Sequence, residues 1–373
     1  MALIMNRNRT PTHWAEKKSW RPAALAERYG AQVDCVEIAF INNMPDAALE
    51  DTESQFFGLL GEAAENIPVH LRLYSLPHIS RSQRAQRHLS NFYFGINDLF
   101  NSRFDAVVMT GTEPHQSNLR NEPYWDALVE VLDWAENNTV STVLSCLAAH
   151  AAVLHSDGID RHRLDDKQFG VFDERKVSEH TLLSQTSDLM PFPHSRWNEV
   201  QEDALSSCGY TVLTKSAEAG VNLFVKKKKK SLFVHFQGHP EYDAATLFKE
   251  YRRDVKRYLR GERETYPSMP HEYFDPAAIE LLTRFRENAT FDRGEELQAD
   301  FPESLAAGTS ESRWHSSATL VYSNWLQYVA SRKADSPALA TVARVARETF
   351  HGRIRSAMPS DGVRSTSFHN EMA

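Results

Sequence analysis

Cys146 stands where the apolar run 140–144 gives way to a helical stretch, in Ser145-Cys146-Leu147-Ala148-Ala149-His150. Far downstream, Gly238-His239-Pro240-Glu241-Tyr242 closes a second apolar run. A thiol is a poor nucleophile until it ionises, and a histidine oriented by a carboxylate is the usual device for ionising it. Residues two apart in extended backbone point the same way, so His239 and Glu241 can face one site as a base and its orienting carboxylate. Pro240 lacks an N–H and suits a strand terminus better than a central strand. Each piece alone has a plainer reading: Cys146 as a small buried hydrophobe, His-Pro-Glu as a solvated turn.

The elements that must position these groups alternate. Short β-rich apolar runs at 36–41, 69–76, 104–110 and 140–144 are separated by helical patterns at 46–64, 89–100 and 124–136. That order is the signature of a parallel sheet covered by helices, an α/β fold with a mostly parallel twisted sheet. Cys146 then falls at the carboxyl end of a strand and at a helix N-terminus, where free N–H groups and the positive dipole end favour a thiolate. The stretch after 155 reads as irregular. Strands follow at 210–213, 222–225 and 231–236, then a charged amphipathic helix at 243–259 and helices at 277–287 and 317–331. The boundaries that result are an N-terminal extension over 1–34, a catalytic domain over 35–332 with a helical C-terminal extension, and a tail over 333–373. That tail has one possible helix at 338–350 and a polar, mobile end.

With 373 residues, 41% of them hydrophobic, the chain can bury a sizeable core. A net charge of −8 supplies no field for nucleic acid or an anionic membrane, so the expected partners are small molecules. Three cysteines (Cys35, Cys146, Cys208) are too few and too scattered for a disulfide scaffold or a zinc site. No signal-like segment precedes Pro22 and no apolar run approaches the ~18 residues of a membrane span, which predicts a cytoplasmic protein without a metal. Lys226–Lys230, between two apolar runs, reads as a solvated hairpin turn rather than an anion patch.

Several segments, in order and with few gaps from about Val36 to Tyr328, resemble the homoserine O-succinyltransferase family. They are Asn42-Asn43-Met44-Pro45 through Thr52-Glu53-Ser54-Gln55, Leu89-Ser90-Asn91-Phe92-Tyr93, Thr110-Gly111, Tyr124-Trp125, Ser145-Cys146, Pro193-His194-Ser195-Arg196, Gly238 to Asp243 and Ser323-Asn324-Trp325-Leu326. The resemblance implies a class I glutamine-amidotransferase-like (flavodoxin-like) fold. It also implies ping-pong acyl transfer from acyl-CoA, a co-substrate rather than a bound cofactor, to the hydroxyl of L-homoserine in methionine biosynthesis, and a homodimer. Cys146 would carry the acyl group, His239 act as base and Glu241 fix the imidazole. Backbone N–H groups near Gly111 and Leu147 would stabilise the oxyanion. The family's homoserine-binding positions fall on Lys167, Ser195 and Arg253, whose planar fork suits a carboxylate. His150 and His194 are expected to pack rather than act as bases.

The donor is the open point. A position after the third strand's Thr-Gly is glycine in succinyl-type and glutamate in acetyl-type members; here it is His115. A bulky side chain argues for acetyl, yet an imidazole can donate to a succinyl carboxylate. The lysine that follows Met-Pro in succinyl-type enzymes has no counterpart in Met44-Pro45-Asp46-Ala47-Ala48-Leu49. Succinyl-CoA is favoured because it goes with the family name; acetyl-CoA is the alternative, and serine an alternative acceptor. Two rivals keep the scaffold and change the activity: a glutamine-amidotransferase-like amidase, whose elbow usually carries glycines where Ser145 and Leu147 stand, and a silent binding protein.

Overall fold

In the computed structural model, which describes residues 3–6, 9–15, 35–303 and 312–334, strand alternation sorts side chains into two layers. Ile38, Phe40, Leu71, Val108, Val143, Val234 and Phe236 join one buried cluster, while Ala39, Ile41, Val107, Met109, Leu144 and Phe233 join another on the opposite face. A sheet buried on both faces needs apolar residues at nearly every position, which is why these strands read as continuous apolar runs.

The strands are β1 (Leu3–Met5), β2 (Val36–Ile41), β3 (Val69–Tyr74), β4 (Ala106–Met109), β5 (Ser141–Ser145), β6 (His162–Lys176), β7 (Leu189–Glu199), β8 (Thr211–Val212), β9 (Thr214–Ser216), β10 (Gly220–Val221), β11 (Leu223–Lys228) and β12 (Ser231–Phe236). The main sheet runs β1-β3-β2-β4-β5-β12-β11-β8. It is parallel from β1 to β12 and antiparallel at β11 and β8. The helices are α1 (Thr12–Ala15), α2 (Leu49–Ala63), α3 (Gln83–Phe92), α4 (Ile96–Asn101) and α5 (Trp125–Asn138). They continue with α6 (Leu147–Asp157), α7 (Glu202–Ser207), α8 (Thr246–Leu259), α9 (Pro276–Phe291) and α10 (His315–Ala334). The expected α/β class, mostly parallel sheet, flanking helices and C-terminal helices are all present.

Two expectations need correction. The single helix over 89–100 is two, α3 and α4, because Tyr93 leaves helical backbone, Phe94 N–H donates to Leu73 O at 2.8 Å, and the Tyr93 hydroxyl donates to buried Glu53 at 2.6 Å. The stretch read as irregular holds a long antiparallel ribbon, β6 with β7, in a second sheet ordered β10-β9-β6-β7. Polar residues fill its exposed positions, and its buried Glu174 is paired with His194 on the neighbouring strand at 2.9 Å, a contact no local pattern reveals.

The lysine turn is a hairpin as expected, with Lys228 opposite Ser231. Its lysines are paired: Lys226 and Lys228 with Asp157, Lys229 with Glu136. The chain divides into two units, residues 1–330 and 331–373, and every residue of the site lies in the first. Within the first, the Trp325 indole N–H donates to Ser141 Oγ at 2.9 Å and the Trp314 indole N–H to Tyr242 O at 2.8 Å. The expected helix at 338–350 and the mobile tail lie outside the described residues.

Candidate active site

Three neighbouring parallel strands end together. Register pairs Met109 of β4 with Leu144 of β5, and Phe236 of β12 with Ser145 of β5. Gly111, Cys146 and His239 each follow within a few residues, so one sheet edge collects all three, as open α/β sheets do at their carboxyl ends.

Cys146 has φ +52° and ψ −111°, between the end of β5 and the first turn of α6. That region is costly for a non-glycine residue, roughly 1–3 kcal/mol, and persists because both flanking elements are fixed. Its N–H donates to Phe236 O at 2.8 Å, locking the elbow to β12. The Cys146 side chain lies near enough to the His239 ring to act on its charge. His239 Nδ1–H in turn donates to Glu241 Oε1 at 2.8 Å, and Ser145 Oγ–H donates to the same oxygen at 3.3 Å. His239 and Glu241 are buried. Burial by itself depresses the imidazole, but the Glu241 carboxylate and Cys146 outweigh it and push His239 up to about 10. The direction favours an imidazolium beside the sulfur.

Gly111 explains itself by contact. A Cβ placed on it would lie 2.9 Å from Leu147 Cβ and 3.0 Å from Leu147 N, so only glycine lets these two peptides meet. Neither the Gly111 nor the Leu147 N–H donates to another group among the described residues. The preceding residue is clamped: Asn43 N–H donates to Thr110 Oγ1 at 2.8 Å and Asn43 Nδ2–H to Thr110 O at 3.3 Å. His115, by contrast, is exposed, and its backbone N–H is held by Glu122 Oε1 at 2.6 Å, which also takes the Gln116 N–H at 2.6 Å.

The β6–β7 ribbon supplies the second half of the site. Pro193 O accepts the His239 N–H at 2.8 Å, so the strand that carries Ser195 also holds the loop that bears His239. Lys167 sits where the ribbon register shifts between Arg163 and Gln168. Lys167, Ser195 and Arg253 converge on a residue that sequence reasoning missed, Glu250 of α8. Ser195 Oγ–H donates to Glu250 Oε2 at 2.5 Å, Lys167 Nζ lies 3.1 Å from the same oxygen, and an Arg253 Nη lies 3.7 Å away. The Tyr242 hydroxyl donates to Glu250 Oε1 at 2.7 Å, and the Tyr242 ring stacks on His239 with centroids 4.3 Å apart. Burial alone raises a carboxyl, but Lys167 and Arg253, with the two hydroxyls, hold Glu250 down at about 2. Arg253 is half exposed and ion-paired with Asp254 at 3.1 Å.

His150 and His194 are packed into the fold by other partners. His150 Nε2 bonds Gln237 Oε1 at 2.8 Å, and burial pushes it down to about 3. His194 is fully buried against Glu174 and Arg196, and burial carries it well below the usual range. Among the described residues no cluster of side chains could hold a metal ion, and no helix is long and apolar enough to cross a membrane.

A thiol, an imidazole held by a buried carboxylate and, among the described residues, two N–H groups without acceptors meet where three strands of an α/β fold end, beside a cluster of charged side chains, an arrangement suited to acyl transfer. Residues 14–336 match the family described as homoserine O-succinyltransferase. A protein of that name from Rhodopseudomonas palustris is 44% identical over 79% of this chain and 89% of its own. Another, from Thiothrix nivea, is 38% identical over 87% of this chain and 91% of its own. Among solved structures, a glutamine amidotransferase from Thermotoga maritima aligns at a TM-score of 0.44 and 14% identity, covering 80% of this chain and 99% of that one. The chain belongs to the homoserine O-succinyltransferase family and is an acyltransferase.

Proposed function

We propose that this chain transfers the succinyl group of succinyl-CoA to the side-chain hydroxyl of L-homoserine, through a thioester on Cys146. The observation that carries the reading is the run of contacts from Glu241 through His239, beside Cys146, and Tyr242 to Glu250, which joins the proposed nucleophile and base to a cluster of charged side chains. The names of the relatives support succinyl over acetyl as the donor.

In the first half-reaction the Cys146 thiolate attacks the thioester carbonyl. The developing oxyanion is received by the Gly111 and Leu147 N–H groups. The carbon–sulfur bond to CoA then breaks, and the CoA thiolate leaves with the proton of the His239 imidazolium. In the second half-reaction neutral His239 takes the proton of the homoserine hydroxyl as its oxygen attacks the acyl carbon. The Cys146–acyl bond breaks, regenerating thiolate and imidazolium and releasing O-succinylhomoserine. Glu241 holds the imidazole in the orientation both steps need.

Arg253 pairs with the homoserine carboxylate, its planar fork matching two oxygens. Glu250, a half-buried carboxylate whose neighbours favour its ionised form, receives the α-ammonium, and Lys167 and Ser195 fix Glu250 in place and close the polar end. This is small-molecule chemistry with CoA as co-substrate, in keeping with free cysteines and a cytoplasmic setting.

The test is a four-way assay of purified protein: succinyl-CoA and acetyl-CoA, each against homoserine and serine, with CoA release as readout. Fastest turnover with succinyl-CoA and homoserine is expected, and Cys146→Ala abolishes it. Ammonia release from glutamine without acyl-CoA turnover would replace this reading with the amidase.

A further inference from the structure

Cys146 opens α6 and His239 follows β12, so two separate elements have to be fixed against each other for the two side chains to meet. One link is backbone, the Cys146 N–H on Phe236 O at 2.8 Å. The other is the side chain of the next residue. Gln237 is fully buried and uses its whole amide. Oε1 accepts the Val200 N–H at 2.8 Å and lies 2.8 Å from His150 Nε2, while the amide N–H groups donate to Val200 O at 3.2 Å and Val221 O at 2.6 Å. Two carbonyls need the nitrogen and the Val200 N–H needs the oxygen, so the amide can face only one way and His150 must donate its Nε2–H.

His150 stands in the first turn of α6, where its own N–H donates to Cys146 O at 3.2 Å. It is buried, and burial holds it down at about 3, so the ring stays neutral. Gln237 thereby ties the helix that starts at Cys146 to the end of β7 and to β10. The loop that follows is clamped residue by residue: the Gln237 N–H donates to Asn222 O at 3.0 Å, the Gly238 N–H to Asn222 Oδ1 at 2.8 Å and the His239 N–H to Pro193 O at 2.8 Å. A Cβ on Gly238 would lie 2.8 Å from Pro193 O and 3.0 Å from both Asn222 Oδ1 and His194 Nε2, so glycine is what lets the loop settle this deeply. All four bonds of the Gln237 amide are made away from Lys167, Ser195, Glu250 and Arg253, so the link can be cut without touching the proposed acceptor site.

We infer that Gln237 is a positioning residue which, through its bond to His150, sets His239 in register with Cys146. Neither side chain of the pair exchanges a proton in the reaction. They act through the backbone on either side, Gln237 two residues before the base and His150 one helical turn after the nucleophile, and a fully satisfied buried amide holds that geometry because any displacement strands a donor or an acceptor.

This role rests on Cys146 as nucleophile and His239 as its base, and it is tested by a readout that needs no acyl-CoA. Wild type and the His150→Leu, His150→Gln and Gln237→Met variants are alkylated with iodoacetamide over a range of pH, and peptide mapping separates Cys146 from Cys35 and Cys208. The groups that act on the Cys146 charge, His239, Tyr242, Arg161 and Arg196, are unchanged in every variant. Wild-type Cys146 should titrate below the ordinary thiol value of about 8.5. His150→Leu should raise that midpoint by about one unit and lower kcat for CoA release about tenfold, with KM for homoserine changed less than about twofold. Gln237→Met should lower kcat about a hundredfold, and His150→Gln, whose amide N–H can reach the same oxygen, should stay near wild type in both measurements. Should Gln237→Met fail to fold, the two His150 variants decide. A lowered melting temperature in His150→Leu with midpoint and kcat unmoved overturns the role, as does a His150→Gln variant as impaired as His150→Leu. A wild type whose Cys146 titrates as an ordinary thiol overturns the Cys146–His239 pair and this role with it. Midpoints that move as expected in a protein that turns over no acyl-CoA support the role and overturn the acyl-transfer reading instead.

Discussion

The Tyr242 hydroxyl donates to Glu250 Oε1 at 2.7 Å while the same ring lies against the His239 imidazole. One side chain thus ties the Glu250 cluster, the proposed acceptor site, to the imidazole proposed as base. Tyr242→Phe keeps the stack and removes the bond. KM for homoserine should rise about tenfold, the worth of a hydrogen bond to a charged group, while CoA release in the absence of acceptor stays as in wild type. An unchanged KM would leave Tyr242 as packing alone.

Glu250 is ionised far below the usual carboxylate range, so the sign of its pH effect is fixed. A carboxyl with a depressed folded pKa stabilises the protein above its unfolded pKa and loses that contribution as pH falls toward the folded value of about 2. The Tm difference between wild type and Glu250→Gln should therefore be largest above about pH 5 and shrink steadily toward about pH 3. A difference that does not vary over that range would contradict the ionised, paired state of Glu250.

Gly111→Ala forces a Cβ into the Leu147 peptide, at 2.9 Å from its Cβ. The two N–H groups are then pushed apart, and kcat should fall about 10²–10³-fold with either acyl donor, the cost of losing an oxyanion donor. Melting curves on the same variant separate this from unfolding: the account requires a fold that survives and a kcat that does not.

His115 is exposed on a loop whose backbone Glu122 holds, so its side chain can be removed without moving the loop. His115→Gly should raise the preference for succinyl-CoA over acetyl-CoA about tenfold, by opening room for the longer acyl group. An unmoved donor ratio would take His115 out of the specificity argument.

Cys146, His239 and Glu241 were legible in the sequence because each sits at the end of an apolar run, and strands buried on both faces advertise their ends. The parallel sheet was legible for the same reason. The β6–β7 ribbon was not: its exposed face carries charged residues such as Asp165 and Asp173, its inward Glu174 is tolerable only opposite His194, and Pro191 and Pro193 argue against a strand. Lys167 and Ser195 could be named from family resemblance, but what they do together could not. Glu250 reads in sequence as one more acid on a charged helix, and only the packing of the ribbon beside α8 makes it the centre of a cluster of Lys167, Ser195, Tyr242 and Arg253.

The central claim is that Cys146 carries the acyl group, and intact-mass spectrometry tests it most directly. Incubated with succinyl-CoA and no acceptor, the protein should gain the mass of one succinyl group, mapped to the Cys146 peptide and lost on adding homoserine; Cys146→Ala should gain none. Full turnover by a protein that never shows this adduct, or an adduct that homoserine does not discharge, would contradict it.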